Sequence, residues 1–113
     1  MSIIRRRTVT LHRGPRRDPV TPELRDLILR RDRECLMFQY DPRHVCRDQW
    51  GRPHAPWATG MLSIEHVKDA STMGRRAPSD PAHCVALCHG ANVAVSSKEA
   101  RAFFRGYLAT VNT

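Results

Sequence analysis

The sequence predicts a small α+β domain, because two stretches with the alternation of β-strands lie between two stretches with the pattern of helices. Residues 62–67 and 83–88 alternate between apolar and polar side chains, as half-buried strands do. Residues 22–33 and 96–108 carry apolar side chains at helical spacing. A chain of 113 residues is long enough for one domain with a small core.

The chain is strongly basic, and nearly all of its positive charge comes from arginine. Nineteen Lys and Arg residues stand against eleven Asp and Glu residues, which gives a formal charge of +8, and only Lys68 and Lys98 are lysines. Arginine grips phosphate through paired hydrogen bonds, so this balance predicts a polyanionic partner such as DNA. A charge that serves solubility alone is the alternative.

Residues 1–19 are predicted to form a flexible basic arm ahead of one folded domain at residues 20–113. Arginine, proline and glycine dominate the arm, and such a composition keeps a segment solvated and mobile. The arm is interpreted as a phosphate-binding tail, and the residues assigned to DNA in it are Arg5, Arg6 and Arg7. No apolar run predicts a signal peptide or a membrane span, so a cytoplasmic protein is expected.

Four cysteines and six histidines are many for so short a chain. Thiols stay reduced in the cytosol, so the cysteines are interpreted as metal ligands or core residues rather than disulfides. The predicted ligands of a structural zinc ion are Cys35, Cys46 and Cys88, with His44 or His89 as the fourth. Cys84 is left out, because four residues of extended strand put it about 13 Å from Cys88, and it is interpreted as a small core residue.

Residues 35–61 are predicted to be an irregular loop, since proline and glycine recur along them. A zinc ion shared by Cys35 and Cys46 would clip this long loop in place. Trp50 and Trp57 lie in the loop and are predicted to pack over the core, with base stacking as the alternative.

Both predicted helices have recognisable starts. Thr21 followed by Pro22 predicts an N-cap and a first helical turn, and Ser96 with Glu99 predicts a capping box. The apolar stripes that should cover the core are Leu24, Leu27 and Ile28 in the first helix, and Ala100, Phe103, Phe104, Tyr107 and Leu108 in the second. A DNA-reading role for the first helix is the less favoured interpretation.

The two strands and the residues after them resemble the HNH endonuclease family, whose core is a ββα-metal unit. The family pattern is an acid followed by His on the first strand, an Asn or His at the start of the second strand, and an Asn or His nine positions later in the helix. Glu65 and His66 match the first element, His83 the second and Asn92 the third. The resemblance covers about residues 22–110.

The sequence departs from the family pattern at two positions. His83 stands where Asn is commoner, and Ala91 stands where a second Cys would complete the zinc pair opened by Leu87-Cys88. Residues 73–80 also resemble the corresponding loop of short HNH proteins encoded by phages.

The resemblance implies a metal-dependent endonuclease that hydrolyses DNA phosphodiester bonds. His66 would be the general base, and His83 would orient it through a hydrogen bond. Glu65 and Asn92 would hold a catalytic Mg²⁺ or Mn²⁺ ion, whose charge relieves the leaving oxygen. Phage origin, and phage packaging proteins as partners, are implied by the resemblance alone.

Arg75 and Arg76, in the loop between the strands, are assigned to DNA, but ordinary surface charge would explain them too.

Two other functions remain open at this point. A zinc-bound DNA-binding module without catalysis would carry the same cysteines and the same charge. A basic structural protein of a phage particle is the third possibility, and the metal-type residues have no purpose there. The combination of Glu65, His66 and Asn92 favours the nuclease.

Overall fold

The computed structural model describes residues 20–68, 78–93 and 96–111, and a two-stranded sheet packed against helices forms its centre. The elements are α1 Pro22–Asp32, α2 Leu36–Tyr40, β1 Ser63–His66, β2 Cys84–Leu87 and α3 Lys98–Val111, with short 3₁₀ helices at Thr59–Met61 and His89–Ala91. The α+β class is as predicted. The proposed basic arm at residues 1–19, with Arg5, Arg6 and Arg7, lies outside the described residues, and so do Arg75 and Arg76.

β1 and β2 form an antiparallel pair with β2 at the centre of the fold. Ser63 lies opposite Leu87, and His66 lies opposite Cys84. Just beyond the strands, the Val67 N–H donates to the His83 carbonyl oxygen at 2.7 Å. Every residue of β2 is buried, whereas β1 is half-buried throughout. The helices α1, α2 and α3 all contact β2. The apolar character of β2 therefore reflects burial on both faces rather than on one.

Helix α1 starts and ends where the sequence indicates. The Thr21 hydroxyl accepts the Leu24 N–H at 3.1 Å, and Pro22 occupies the first turn. Arg33 ends the helix in the left-handed conformation, with φ of 67°, and turns the chain into Cys35. Ile28 is fully buried, but Leu27 is exposed, so the predicted stripe of α1 is narrower than expected.

Helix α3 buries Ala100, Phe104 and Leu108, which lie four residues apart on one face, as predicted. Its cap differs from the expected box, because the Ser97 hydroxyl accepts the Ala100 N–H at 3.0 Å. The Ser96 hydroxyl is instead turned back to the carbonyl oxygen of residue 92, 3.0 Å away. Ser96 therefore does not cap the helix, which starts at Lys98.

The segment 35–61 is more ordered than predicted, and its tryptophans are not where they were expected. α2 and a 3₁₀ helix form within it, and the backbone of Arg47 bridges that of Pro53. Trp50 is 67% exposed and Trp57 66% exposed, so the prediction that they pack over the core was wrong. The space over β2 is already filled by the helices, and Trp50 lies in a tight turn that projects away from them.

An ion pair at the end of α1 supplies hydrogen-bond partners to backbone groups on the unpaired edge of β2. Alternation along an antiparallel pair points the backbone groups of Cys84 and Ala86 away from β1, where no third strand follows within the described residues. The Asp32 carboxylate accepts the Ala86 N–H at 2.8 Å, and the Arg31 guanidinium donates to the Cys84 carbonyl oxygen at 2.6 Å. These two side chains therefore take the place of a neighbouring strand.

The same carboxylate also fastens α3. Asp32 is 2% exposed, accepts the Tyr107 hydroxyl at 2.6 Å and is paired with Arg31 at 2.7 Å. Burial would by itself lower the pKa of Arg31, but the hydrogen bond and charge of Asp32 outweigh it and raise that pKa above its ordinary value. Burial, and then the bond to Asp32, raise the pKa of Tyr107 to about 12. Arg31 is thus a structural residue, with 15% of its side chain exposed beside Asp32.

Replacing Asp32 by Asn should destabilise the protein by about 3 kcal/mol, because it leaves the mostly buried Arg31 without its counter-charge. The measurement is the free energy of unfolding from urea denaturation. Asp26→Asn is the matched control, since Asp26 forms an exposed ion pair with Arg30 one turn away on the same helix, and it should change little. Equal losses in the two variants would contradict the role given to Asp32.

Candidate metal centre and candidate active site

Three cysteines and one histidine converge on one point beside the end of β2. The sulfur atoms of Cys35, Cys46 and Cys88 and a ring nitrogen of His44 all lie within 4.8 Å of one another. The three cysteines are buried and the histidine is half-buried. Such a set of thiols and imidazole is the donor set of structural zinc sites.

Backbone hydrogen bonds bring the ligands together from distant parts of the chain. The Cys35 N–H donates to the Pro56 carbonyl oxygen at 3.0 Å, which ties the start of α2 to the far end of the loop. The Cys46 carbonyl oxygen accepts the His54 N–H at 3.0 Å and closes the turn between them. Cys88 directly follows β2, so the cluster joins both ends of the loop to the central strand.

The separations of the candidate ligand atoms are compatible with a tetrahedral metal site. His44 Nε2 lies 3.3 Å from the Cys88 sulfur, and the Cys88 N–H donates to the Cys35 sulfur at 3.3 Å. Zinc–sulfur and zinc–nitrogen bonds of about 2.3 and 2.0 Å in a tetrahedron imply ligand atoms about 3.5 to 3.8 Å apart. The cluster could therefore hold a structural metal such as zinc.

The three cysteines of the cluster differ in pKa, and Cys88 is the one that ionises most readily. The hydrogen bond from Cys35, helped by His44 and the Arg47 N–H, lowers the pKa of Cys88 to about 4 against the effect of burial. The same hydrogen bond, and then burial, raise the pKa of Cys35 well above its usual range. Burial, and then the charge of Cys88, raise the pKa of Cys46 to about 11. Cys88 is therefore the most acidic thiol of the cluster.

The structure brings together the three cysteines named from the sequence and makes His44 the fourth member. The alternative, His89, is exposed in the 3₁₀ helix after β2 and does not join the cluster. Cys84 is buried in the core with its sulfur 3.8 Å from the Pro78 carbonyl oxygen, which agrees with its interpretation as a small core residue. Ala91, where the family pattern has a second Cys, is buried, and His44 from another part of the chain completes the set.

A second group of polar side chains lies at the other end of the strand pair. His66 is the last residue of β1, and His83 directly precedes β2. His66 Nε2 lies 2.8 Å from the Ser79 hydroxyl oxygen. Glu65 accepts a hydrogen bond of 2.8 Å from the Ser63 hydroxyl and faces away from His66, because successive residues of a strand point to opposite faces. Glu65, His66 and His83 are therefore close in the fold but are not directed at one point by the strand itself.

Asn92 is the predicted site residue whose setting differs most from the expectation. It follows the 3₁₀ helix His89–Ala91 with φ of −51° and ψ of 138°, and the next described α-helix starts only at Lys98. The helix in which the family pattern places this residue is therefore not formed at Asn92. The Ser96 hydroxyl donates to the Asn92 carbonyl oxygen at 3.0 Å. Whether Asn92 binds a cation stays a prediction.

Two residues of this group were missed from the sequence. Asp80 Oδ1 lies 2.7 Å from His83 Nδ1 and also accepts the Ala82 N–H at 3.0 Å. Ser79 lies beside His66. The signal available was the Asp80-Pro81 turn three residues before His83, since an Asp at such a turn bonds to the backbone that follows it.

Comparisons with known proteins give no relative from which the chemistry of the site could be inferred. A scan against protein-family models, a search of curated proteins and a search of solved structures found no match to this chain. None of the helices in the described segments has the length and apolar character needed to cross a bilayer.

Replacing any one of Cys35, Cys46, Cys88 or His44 should weaken zinc binding by more than about 100-fold, since loss even of a residue that only supports a ligand costs 10- to 100-fold. The variants are Cys to Ser and His44→Ala, and the measurements are zinc content and melting temperature. Cys84→Ser and His89→Ala are the matched controls and should keep the metal. Purified wild-type protein without zinc, and unable to take it up, would refute the site.

Zinc binding near neutral pH should release about two protons, because the pKa values of Cys35 and Cys46 are raised and the pKa of Cys88 is lowered. The affinity should accordingly fall as the pH falls. Calorimetric titration of zinc in buffers of different ionisation enthalpy counts the protons. Release of about three protons would show that Cys88 is not ionised before the metal binds.

Proposed function

We propose that this chain is a metal-dependent endonuclease of the HNH type that hydrolyses DNA phosphodiester bonds. The observation that supports this most is the placement of Glu65, His66 and His83 at one end of an antiparallel strand pair. Both histidines are held by an oxygen of the turn that leads into β2, namely the Ser79 hydroxyl and the Asp80 carboxylate. An oriented imidazole can accept or donate the proton that moves during hydrolysis of a phosphodiester.

His66 is the proposed general base. Its Nε2 is within hydrogen-bond distance of the Ser79 hydroxyl, so a water molecule that took the place of the hydroxyl would be near enough to give up its proton. An imidazole has an ordinary pKa near neutrality, which suits the transfer of a proton at physiological pH. Ser79 is in this proposal the residue that fixes the ring in the metal-free, substrate-free protein.

His83 is proposed to act with Asp80 as an oriented pair. A carboxylate next to Nδ1 favours the tautomer with the proton on that nitrogen, which makes Nε2 the basic one. The pair is partly exposed, with the His83 side chain more covered than that of Asp80. The predicted role of His83, support for the catalytic His66, is kept in this proposal, with its own orientation supplied by Asp80.

The catalytic cation is proposed to be Mg²⁺ or Mn²⁺, because the donors available near the histidines are oxygens. Glu65 would hold the ion, with the predicted help of Asn92, and the ion would stabilise the negative charge that develops at the phosphate. The buried thiol and imidazole cluster suits a softer ion such as zinc. In this proposal the two ions would bind at opposite ends of β2, zinc at the Cys/His cluster and Mg²⁺ or Mn²⁺ beside the histidines.

DNA is the proposed substrate because the chain carries a formal charge of +8 that comes mostly from arginine. Neutralising phosphates with such side chains releases counterions and favours binding at low salt. The assignments of Arg5, Arg6, Arg7, Arg75 and Arg76 to DNA remain part of this proposal. Phage packaging proteins as partners remain a prediction from the family resemblance.

A zinc-stabilised DNA-binding module without catalysis is the second candidate. It is favoured by one observation, that the Cys/His cluster is fully assembled while the helix of a ββα unit is not formed at Asn92. The two candidates differ in whether supercoiled plasmid is cut when Mg²⁺ or Mn²⁺ is added.

His66→Ala should slow plasmid cleavage by about 10²- to 10⁴-fold and leave DNA affinity nearly unchanged, because a general base lowers the barrier and adds little to binding. His89→Ala is the matched control, since His89 is exposed and lies outside both sites. The readout is the rate of nicking with added Mg²⁺ or Mn²⁺, beside DNA affinity measured separately. Cleavage by the His66 variant at the wild-type rate would exclude His66 as the base, and binding without any cleavage by the wild type would favour the second candidate.

A further inference from the structure

Both tryptophans of the chain are exposed, and Trp50 lies in a hydrogen-bonded turn. Tryptophan usually buries a large area, so two rings that are about two-thirds exposed on a domain with a small core need an explanation. The Trp50 turn, defined here as residues 47–53, directly follows Cys46 of the metal cluster and carries this ring at its centre.

Hydrogen bonds inside the Trp50 turn fix the backbone on both sides of the ring. Asp48 Oδ1 accepts the Trp50 N–H and the Arg52 N–H, each at 2.9 Å, and the Asp48 N–H donates to the Arg52 carbonyl oxygen at 2.9 Å. Gly51 has φ of 82°, a conformation that glycine adopts without strain. Cys46 of the metal cluster directly precedes the turn. The ring is therefore presented from a defined position and not from a loose loop.

Arginine covers one face of this ring. The Arg52 guanidinium carbon lies 5.1 Å from the Trp50 ring centroid, in a cation–π contact. Arg52 also lies 3.5 Å from Asp48 and Arg43 lies 3.3 Å from Asp41, so each of these cations has a carboxylate beside it. Arg52 keeps 71% of its side chain exposed, and Arg43, close before the cluster, keeps 92% exposed. Arg47 donates to the Gly51 carbonyl oxygen at 2.9 Å and adds a third cation at the base of the turn.

We propose that the Trp50 turn binds unpaired bases of a nucleic acid, with one base stacked on the open face of Trp50 and the neighbouring phosphates near Arg52 and Arg43. An aromatic platform with adjacent cations is what single-stranded nucleic acids require, because every base offers a flat face and every nucleotide a negative charge. The inference rests on the proposed function only in taking nucleic acid as the partner. It adds that the nucleic acid has unpaired bases where it contacts the turn.

The arrangement favours a base over an anionic membrane surface. A guanidinium on one face of the ring leaves a single open face, which is enough for stacking with a planar base. Insertion among acyl chains would instead draw the Arg52 charge toward the hydrocarbon. The residues next to Trp50 in the turn are polar or small, so the apolar surface there is limited to the ring itself.

The two tryptophans allow each ring to be observed separately. Trp57→Phe leaves Trp50 as the single indole of the chain, and Trp50→Phe leaves Trp57, which is equally exposed, as the matched control. Each protein is titrated with oligothymidylate, with a closed duplex of the same length and with phosphatidylserine vesicles. Emission from Trp50 should be quenched by the single strand and much less by the duplex, and emission from Trp57 should change less than that from Trp50.

Affinity supplies the second measurement. Trp50→Ala should weaken binding of oligothymidylate by about 5- to 150-fold, the usual range for loss of one stacked base, and Trp57→Ala should weaken it less. Unchanged zinc content shows that the Trp50 variant is folded. Equal losses for the two alanine variants, or no quenching of Trp50 by the single strand, would overturn the inference. A blue shift with vesicles in place of quenching by DNA would assign the turn to lipid and overturn it as well.

Cleavage and stacking can fail independently. A wild-type protein that cuts plasmid while Trp50 emission ignores single strands would leave the proposed function in place and exclude the Trp50 site. A protein that never cuts, but whose Trp50 is quenched by single strands, would do the reverse.

Discussion

The free edge of β2 is the constraint on which the rest of the structure depends. A two-stranded sheet has an unpaired edge on each strand, and β2 is buried at every residue, so its outward backbone groups need partners within the protein. Asp32 and Arg31 supply them and bind Tyr107 in the same network. A buried charge pair is costly to desolvate, and here the cost is offset because each charge also satisfies backbone or hydroxyl groups. α1 and α3 thereby fix the strand that carries the sites at its two ends.

A strand of four residues separates two different chemical environments. Cys88, directly after β2, belongs to a buried cluster of sulfur and nitrogen donors that joins the loop to the core. His83, directly before β2, belongs to a half-exposed group of imidazoles, hydroxyl and carboxylate. Burial favours the first as a structural site, because thiolates shielded from water bind zinc tightly and stay inert. Partial exposure favours the second as a reactive site, because a substrate and water must reach it.

The metal cluster also determines what the loop can present to a partner. Within residues 41–61 only Cys46 is buried, so backbone hydrogen bonds and the four candidate ligands position this part of the loop. Around that fixed point, exposed arginines and Trp50 face outward. The proposed reactive histidines and the proposed stacking turn are thus both attached, from different sides, to the same short strand. A substrate that engages both would be held by a single rigid unit.

The sequence by itself determined the α+β class, both strands, both long helices and the three cysteines of the cluster, because these follow from local periodicity and ligand type. It could not choose His44 over His89, since that depends on how a loop folds back on β2. It could not show that Arg31 and Asp32 are inside, because a charged helix end is normally solvated. It placed Trp50 and Trp57 in the core, because hydrophobicity indicates burial but says nothing about whether the core has room. The family resemblance places Asn92 in a helix, whereas the structure gives it a non-helical backbone directly after a 3₁₀ helix. Ligand type and periodicity are properties of neighbouring residues, whereas convergence, edge satisfaction and exposure depend on contacts between residues far apart in the chain.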